Sequence, residues 1–409
     1  MGLVTTRLDQ TPGPTRRIGD LVVALRPQSA DVPWMEAWRT LAAAPAFDNL
    51  FYDPDFAIPA AGPFGRGVHV MLVGDRPPEE AGLKLLALWP LQVTRTRWGV
   101  PIPLALGWMH PFGIFGVPLL DSADPARAFT ALFEGLRSVG LRRAMLTHVP
   151  TEGPFADLLA QWARTARARR APFWAHARAF LDLTAKTSSE RASYLGHLSA
   201  RRRRRLRQSR ERLEMQAPLL FETARGPDAV SSALDDFIAL EGRGWKGEAG
   251  TALARQPAEA AFVAAAARAF AARGDMRVDR LARDGQSLAS ALTFVTRGQA
   301  WCLKIAFDEA AARDSPGALH LHHLTRSLLD DSRISSADSC APPDFFLAET
   351  FWAERLPLAH ILVETAAGDP LYPFAARLEG FRASAVRRLK RWRAGRAAAA
   401  KDADRKDAD

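Results

Sequence analysis

Residues Lys304–Asp330, KIAFDEAAARDSPGALHLHHLTRSLLD, decide how this chain is read. They follow an apolar run, Trp301-Cys302-Leu303, that has the look of a strand end. A charged loop of small residues comes next. Ser315-Pro316-Gly317 then opens a helix whose apolar positions are Leu319, Leu321, Leu324 and Leu328. Proline just inside a helix start gives up no hydrogen bond, and serine before it is a good cap. The first turn of such a helix presents backbone N–H groups and a partial positive charge, which suits a phosphate. Strand, loop and small-residue helix start together predict a grip on a pyrophosphate-bearing cofactor. The expected contacts are Lys304, Phe307, Arg313, Ser315, Pro316, Gly317 and Ala318.

Working outward, three strand-like runs precede the loop: MRVDRLAR, SLASALTFVT and AWCLKIAF. Asp284-Gly285 and Arg297-Gly298 separate them and read as hairpin turns. After the helix come a short run ISSADSC, a helix PDFFLAETFWAERL and a strand LAHILVET. Two helical stretches, Tyr194–Met215 and Ala229–Glu241, lie upstream.

This order resembles the GNAT superfamily of acyl-CoA-dependent N-acyltransferases, with the two upstream stretches in the place of the two helices that follow its first strand. The wording of FIALEGRGWKGEAGTAL, KIAFDEAAARDSPGAL and ADSCAPPDFFLAETFWAERLPL is similar to its BioF-like or CelD (cellulose-biosynthesis) branch, related to the FemAB peptidyltransferases. The likeness covers about Ser188 to Lys390. It implies acetyl-CoA or another acyl-CoA as co-substrate, no metal, and transfer of an acetyl or longer acyl group to a small or polymeric amine in polysaccharide or envelope metabolism. One departure stands out: the superfamily's phosphate loop has Gly where this chain has Pro316, so one N–H donor is missing.

The N-terminal half has a weaker version of the same order. A helix and a Pro-broken aromatic segment (Pro33 to Phe56) precede VHVMLVGD, LKLLALWPLQVTRT and PIPLALGW, with later helices around Ala126–Val139 and Phe155–Ala166. The expected fold is therefore α/β (α+β), two tandem GNAT-like halves, each a mixed, mostly antiparallel sheet flanked by helices. The boundaries are 18–183 for a half that walls the acceptor cleft without binding cofactor, 188–392 for the acyltransferase half, and 394–409 for a disordered tail.

Composition narrows the function classes. Two cysteines make neither a disulfide framework nor a metal spacing, and MGLVTTRLDQTPGPTRR lacks the apolar core of a secretion signal. Both point to the cytoplasm. Residues 101–120 carry no charge, but repeated Pro and Gly exclude a spanning helix. The net charge of +10 is concentrated in two places, Arg201–Arg212 and the stretch from Arg382 onward. The first leaves nucleic acid open as a partner, not the favoured one.

Gly242-Arg243-Gly244-Trp245-Lys246-Gly247 spells a dinucleotide fingerprint but follows a helix, where that fingerprint follows a strand. It reads instead as a helix stop and a loop, with Trp245 and Lys246 placed to line the substrate cleft. His320, His322 and His323 lack the carboxylate or cysteine that would complete a zinc set. For the base that takes a proton from the amine, the candidates are Glu241, at a helix end, and Asp308, at the strand end. Two other readings remain: FemAB-like aminoacyl transfer from charged tRNA through the arginine run, and a non-catalytic scaffold in a polysaccharide-synthesis assembly.

Overall fold

The computed structural model describes residues 13–406 except 98, 245–246, 248–249 and 343–344. Residues 1–12 and the two residues expected to line the cleft, Trp245 and Lys246, thus lie outside the described residues. One mixed sheet of 14 strands runs through the whole molecule.

In the first half, β1 (Thr15–Ile18), β2 (Leu21–Pro27), β3 (Val68–Gly74), β4 (Leu85–Thr94) and β5 (Leu104–Gly107) are neighbours in an antiparallel ribbon, with the two-residue β6 (Leu119–Leu120) beside β4. Helices α1 (Met35–Ala43) and α2 (Pro54–Phe64) separate β2 from β3. Then α3 (Pro125–Ser138) crosses over to β7 (Arg143–Pro150), which is parallel to β5. Near-continuous apolar runs such as VHVMLVG are buried along their length, as expected where helices cover the sheet. Helix α4 (Pro154–Thr165) leads to β8 (Arg170–Asp182).

The second half repeats the plan. After α5 (Ser188–Ser193) and α6 (Ala200–Glu214), the ribbon is β9 (Leu219–Ala224), β10 (Met276–Arg283), β11 (Gln286–Thr296) and β12 (Gln299–Phe307). Helices α7 (Pro227–Arg243) and α8 (Pro257–Ala272) separate β9 from β10. Helix α9 (Pro316–Asp330) crosses to β13 (Ser336–Asp338), parallel to β12. The hairpin turns read from sequence are present. Asp284 and Gly285 have φ 49° and 74°, Arg297 and Gly298 47° and 87°, the doubly positive pattern of a two-residue turn.

The halves interlock. Strand β14 (Glu354–Glu364), reached through α10 (Phe346–Phe351), pairs with β7 of the first half, while β8 pairs with β13 of the second. β8 and β14 also pair with each other at the centre. Each half thus completes its sheet with a strand from the other.

Several element boundaries differ from expectation. The helices between the first two strands of the second half are α7 and α8, whereas the arginine-rich α6 precedes β9. The alanine-rich run AEAAFVAAAARAFAA forms α8 and buries Phe262, Val263 and Phe270. The helix expected over PDFFLAETFWAERL shrinks to Phe346–Phe351, and the final strand begins at Glu354. Residues expected to be a disordered tail continue the last helix, α11 (Tyr372–Lys406), where Ala, Arg and Lys all favour helix. Among the described residues no helix is long and apolar enough to cross a membrane.

Candidate active site

The parallel pair of the second half is short. β12 and β13 pair only at Gln299–Trp301 with Ser336–Asp338, and β12 continues past this point to Phe307 without them. Where the two strands part, β12 also breaks register with β11: Leu292 faces Lys304, but the next partners are Thr293 and Cys302. Leu303 is the extra residue of a β-bulge, a device that re-aims side chains. Its consequence is that Leu303 and Lys304 face the same side. Leu303 packs on the main core, while Lys304 Nζ lies 2.9 Å from Glu241 Oε1 and 5.2 Å from the centre of the Phe112 ring.

Glu241 belongs to the last turn of α7 and is 3% exposed. Its Oε2 accepts a hydrogen bond from the Leu253 amide at 2.9 Å. Charge at a helix C-terminus opposes the macrodipole; here Lys304 and the Leu253 amide offset that cost. Phe112 comes from the first half, so this buried cluster joins the halves. Around Phe112 stand Phe64 and Phe262, with His110 stacked on Phe64 at 4.9 Å. Burial drives the His110 imidazole down to about 3.

The helix start lies on the other face of the sheet. Gly317 is buried against Phe307, and a Cβ added there would sit 3.2 Å from the ring. Lys304 is therefore not brought together with Ser315–Ala318, although all were read as cofactor contacts. Ser315 does not cap α9. Its backbone is left-handed (φ 50°, ψ 51°), not the extended conformation from which a cap side chain reaches the first turn, and no such bond forms. The amides of Ala318 and Leu319 bond the Ser315 carbonyl at 3.1 and 3.2 Å. Arg313 and Ser315 are exposed beside this turn. Asp308 accepts from the Ala310 amide at 3.0 Å and caps the short 3-10 turn Glu309–Asp314.

The three histidines of α9 pack on neighbouring elements, His322 beside Phe351 at 5.9 Å. His320 is buried with Nε2 3.0 Å from the Asp279 carbonyl, and His323 stacks on Phe221 at 4.1 Å. No group of three metal-ligating side chains occurs among the described residues. Both cysteines flank the opening but burial pushes the Cys302 thiol up to about 12 and Cys340 well above its ordinary value. Arg201, Arg202, Arg204 and Arg205 of α6 are exposed, and α6 is tied to the loop by Arg212 and Asp314 at 2.6 Å.

Three features carried no sequence signal. These are the Leu303 bulge, the Lys304–Glu241 pair and the ion pair of Arg178 and Asp338 at 2.5 Å, whose side chains are 2% and 0% exposed. Arg178 also donates to the Ile114 carbonyl at 3.0 Å.

The corresponding opening in the first half is closed. Backbone of the 108–117 loop fills it: a Cβ on Gly116 would lie 2.2 Å from the Thr147 carbonyl oxygen. The start of α3 is capped by its own carboxylate, Asp124 accepting from the Arg127 amide at 2.9 Å. An anionic ligand would meet both obstruction and like charge there.

In the second half, then, a crossover helix joins two parallel strands that part beside a bulge. Residues 200–345 match the family model of the acetyltransferase (GNAT) domain, so the chain carries a GNAT domain of acyltransferase type. Among solved structures, FemX is similar at 10% identity over 83% of this chain and 98% of that one, with a TM-score of 0.54. The C-terminal domain of a putative lysylphosphatidylglycerol synthetase from Agrobacterium fabrum aligns at 17% identity over 81% and 92% of the two chains, TM-score 0.48. A tandem GNAT protein from the clavulanic acid pathway aligns at 12% identity over 85% of this chain and 100% of that one, TM-score 0.37. No curated protein sequence matches the chain.

Proposed function

We propose that the protein transfers an acyl group from acyl-CoA to an amine. The carrying observation is the opening between β12 and β13, placed beside a helix start whose cap residue, Ser315, makes no side-chain hydrogen bond to it. In this reading the pyrophosphate lies at Arg313–Ala318 and the thioester reaches the bulge at Leu303. The amine enters from the face that holds Glu241, Lys304 and Phe112. Residues 188–392 do the chemistry, and 18–183 supply the aromatic wall. The CelD-like wording from Phe237 to Leu253 favours an acceptor from polysaccharide or envelope metabolism, and two free cysteines agree with a reducing, cytoplasmic site of action.

The amine nitrogen attacks the thioester carbon, the C–S bond breaks, and the CoA thiolate takes up a proton. An acceptor with a pKa near 10.4 is neutral in only about one molecule in 2,500 at pH 7, a cost of about 4.6 kcal/mol. A base that removes the proton, and a site that holds the reactants together, lower this barrier. Glu241 is the base in this proposal, its carboxylate positioned by Lys304 and Leu253. Asp308, engaged with Ala310, is the weaker candidate.

The exposed arginines of α6, linked to the phosphate loop through Arg212 and Asp314, favour a second reading in which charged tRNA is the donor. Thermal unfolding with acetyl-CoA, longer acyl-CoAs and charged tRNA separates the readings. A ligand at a hundred times its dissociation constant adds about 2.7 kcal/mol of stability. A shift with tRNA alone selects the second reading. No shift with any of them leaves the scaffold reading and overturns both.

A further inference from the structure

The last helix, α11, packs on the body by one side only. Tyr372, Ala375, Glu379 and Ala383 are buried, and Glu379 is held by Arg97 at 3.0 Å and by the Trp174 indole N–H at 2.7 Å. At about 100° per residue, Phe374, Phe381, Leu389 and Trp392 fall on one stripe within roughly 80° of arc. The buried residues lie on the far side of the helix, roughly 100–180° round from Phe374. Three of these side chains face solvent: Phe374 is 47% exposed, Phe381 76% and Leu389 45%. Such a row of large apolar side chains facing solvent needs a partner.

Charge identifies the partner. Between Tyr372 and Lys390 the helix carries Arg377, Arg382, Arg387, Arg388 and Lys390, all exposed, and one acid, Glu379, which is buried. A helix with Phe and Leu on one face and Arg377, Arg382 and Arg388 beside them matches a bilayer interface with anionic headgroups. Stripe-to-stripe pairing of two copies would instead bring Arg377 and Arg388 of each against like charges. We propose that the outward face of α11 rests on an anionic lipid surface, holding the enzyme at a membrane without crossing it.

The test is co-sedimentation of the full chain with vesicles of phosphatidylcholine alone, and of phosphatidylcholine with phosphatidylglycerol in equal parts. The wild type should bind the anionic vesicles at least tenfold more tightly, with the difference shrinking as salt is raised. Phe374→Ser, Phe381→Ser and Leu389→Ser combined should lower that binding tenfold or more. These side chains are exposed, so the melting temperature should hold. Arg377→Glu with Arg388→Glu provides an independent arm and should abolish the preference for phosphatidylglycerol. Equal binding to both vesicle types, or a serine variant that binds like wild type, would overturn the proposal. A wild-type dimer that the serine variant dissociates would assign the stripe to self-association instead, as would RNA binding lost with the stripe assign it to nucleic acid.

Discussion

Lys304 meets Glu241 because Leu303 is one residue too many in its strand. Without the bulge, alternation would send Lys304 to the face of α9, away from the carboxylate. A local irregularity in β12 therefore sets the position of a buried ion pair 63 residues apart in sequence.

That pair gives the first prediction. The Glu241 and Lys304 side chains are 1% and 14% exposed, so removing one of them takes a charge out of a buried pair. Lys304→Met should cost about 3 kcal/mol, the low end of the range for broken buried pairs. Glu241→Gln with Lys304→Met should recover part of that in a denaturant titration. Glu241→Gln alone should lower turnover by about 10²–10⁴ with little change in CoA affinity if the carboxylate is the base. Wild-type turnover in that variant would make Glu241 a purely structural anchor.

A second prediction concerns the helix start. Ser315 is exposed and makes no cap bond, so Ser315→Asp leaves packing untouched. Aspartate tolerates left-handed backbone and favours helix N-termini, so stability should hold or rise by up to about 1 kcal/mol. The new charge should weaken CoA binding about tenfold, or 1.4 kcal/mol, by calorimetry. Gly317→Glu is the poorer probe, because any side chain there first strikes Phe307. Unchanged CoA affinity in Ser315→Asp would move the phosphate away from α9.

Much of this fold is written locally. Asp284-Gly285 and Arg297-Gly298 specify their turns, and Ser315-Pro316 marks where α9 begins, because turn and helix-start chemistry act within a few residues. What escaped is non-local. Nothing in RAPFWAHARAFLD says that it will pair with β13, or in ERLPLAHILVE that it will lie beside β7, since strand exchange depends on partners far away in sequence. The same holds for Lys304, whose partner depends on register rather than composition. Ser315 shows the opposite failure: a residue with high cap propensity sits in a backbone conformation that prevents capping.

A third prediction follows from Arg178 and Asp338. Both are buried, and their contact ties β8 to β13 while Arg178 also holds the Ile114 carbonyl of the first half. Asp338→Asn should destabilise by about 3–5 kcal/mol. Asp20→Asn, which removes an exposed partner of Arg127, should change stability by less than about 1 kcal/mol. Equal effects by chemical denaturation would contradict the burial contrast.

Acid should unfold the protein through its histidines. Burial holds His148 down to about 2, with His360 adding to the effect, and holds His360 itself down to about 4. In the folded state both stay neutral, whereas in the unfolded chain they bind protons below about pH 6.5. The unfolded state then carries the greater number of bound protons, so stability is lost as pH falls from about 6.5 towards the folded values. Each imidazole contributes up to about 1.4 kcal/mol per pH unit in that window. His360→Gln should flatten the slope of unfolding free energy between pH 6 and 5 by about one proton's worth. An unaltered slope would mean that His360 is protonated in the native state.

The arginine run decides between the two donors. Arg201, Arg202, Arg204 and Arg205 point into solvent, and Arg212 is the residue of α6 that bonds the loop through Asp314. Replacing those four by serine removes positive charge without disturbing the Arg212 contact, so CoA affinity should change only a few-fold. If charged tRNA is the donor, the same variant should lose RNA binding. Wild-type affinity for tRNA should then fall steeply with salt, because each neutralised phosphate contributes about −0.7 to −0.9 to the slope of log affinity against log salt. A filter-binding series on both proteins measures this directly. Wild type that ignores tRNA at low salt removes the aminoacyl-transfer reading, and the arginines of α6 are then a solvated face of an acyl-CoA enzyme.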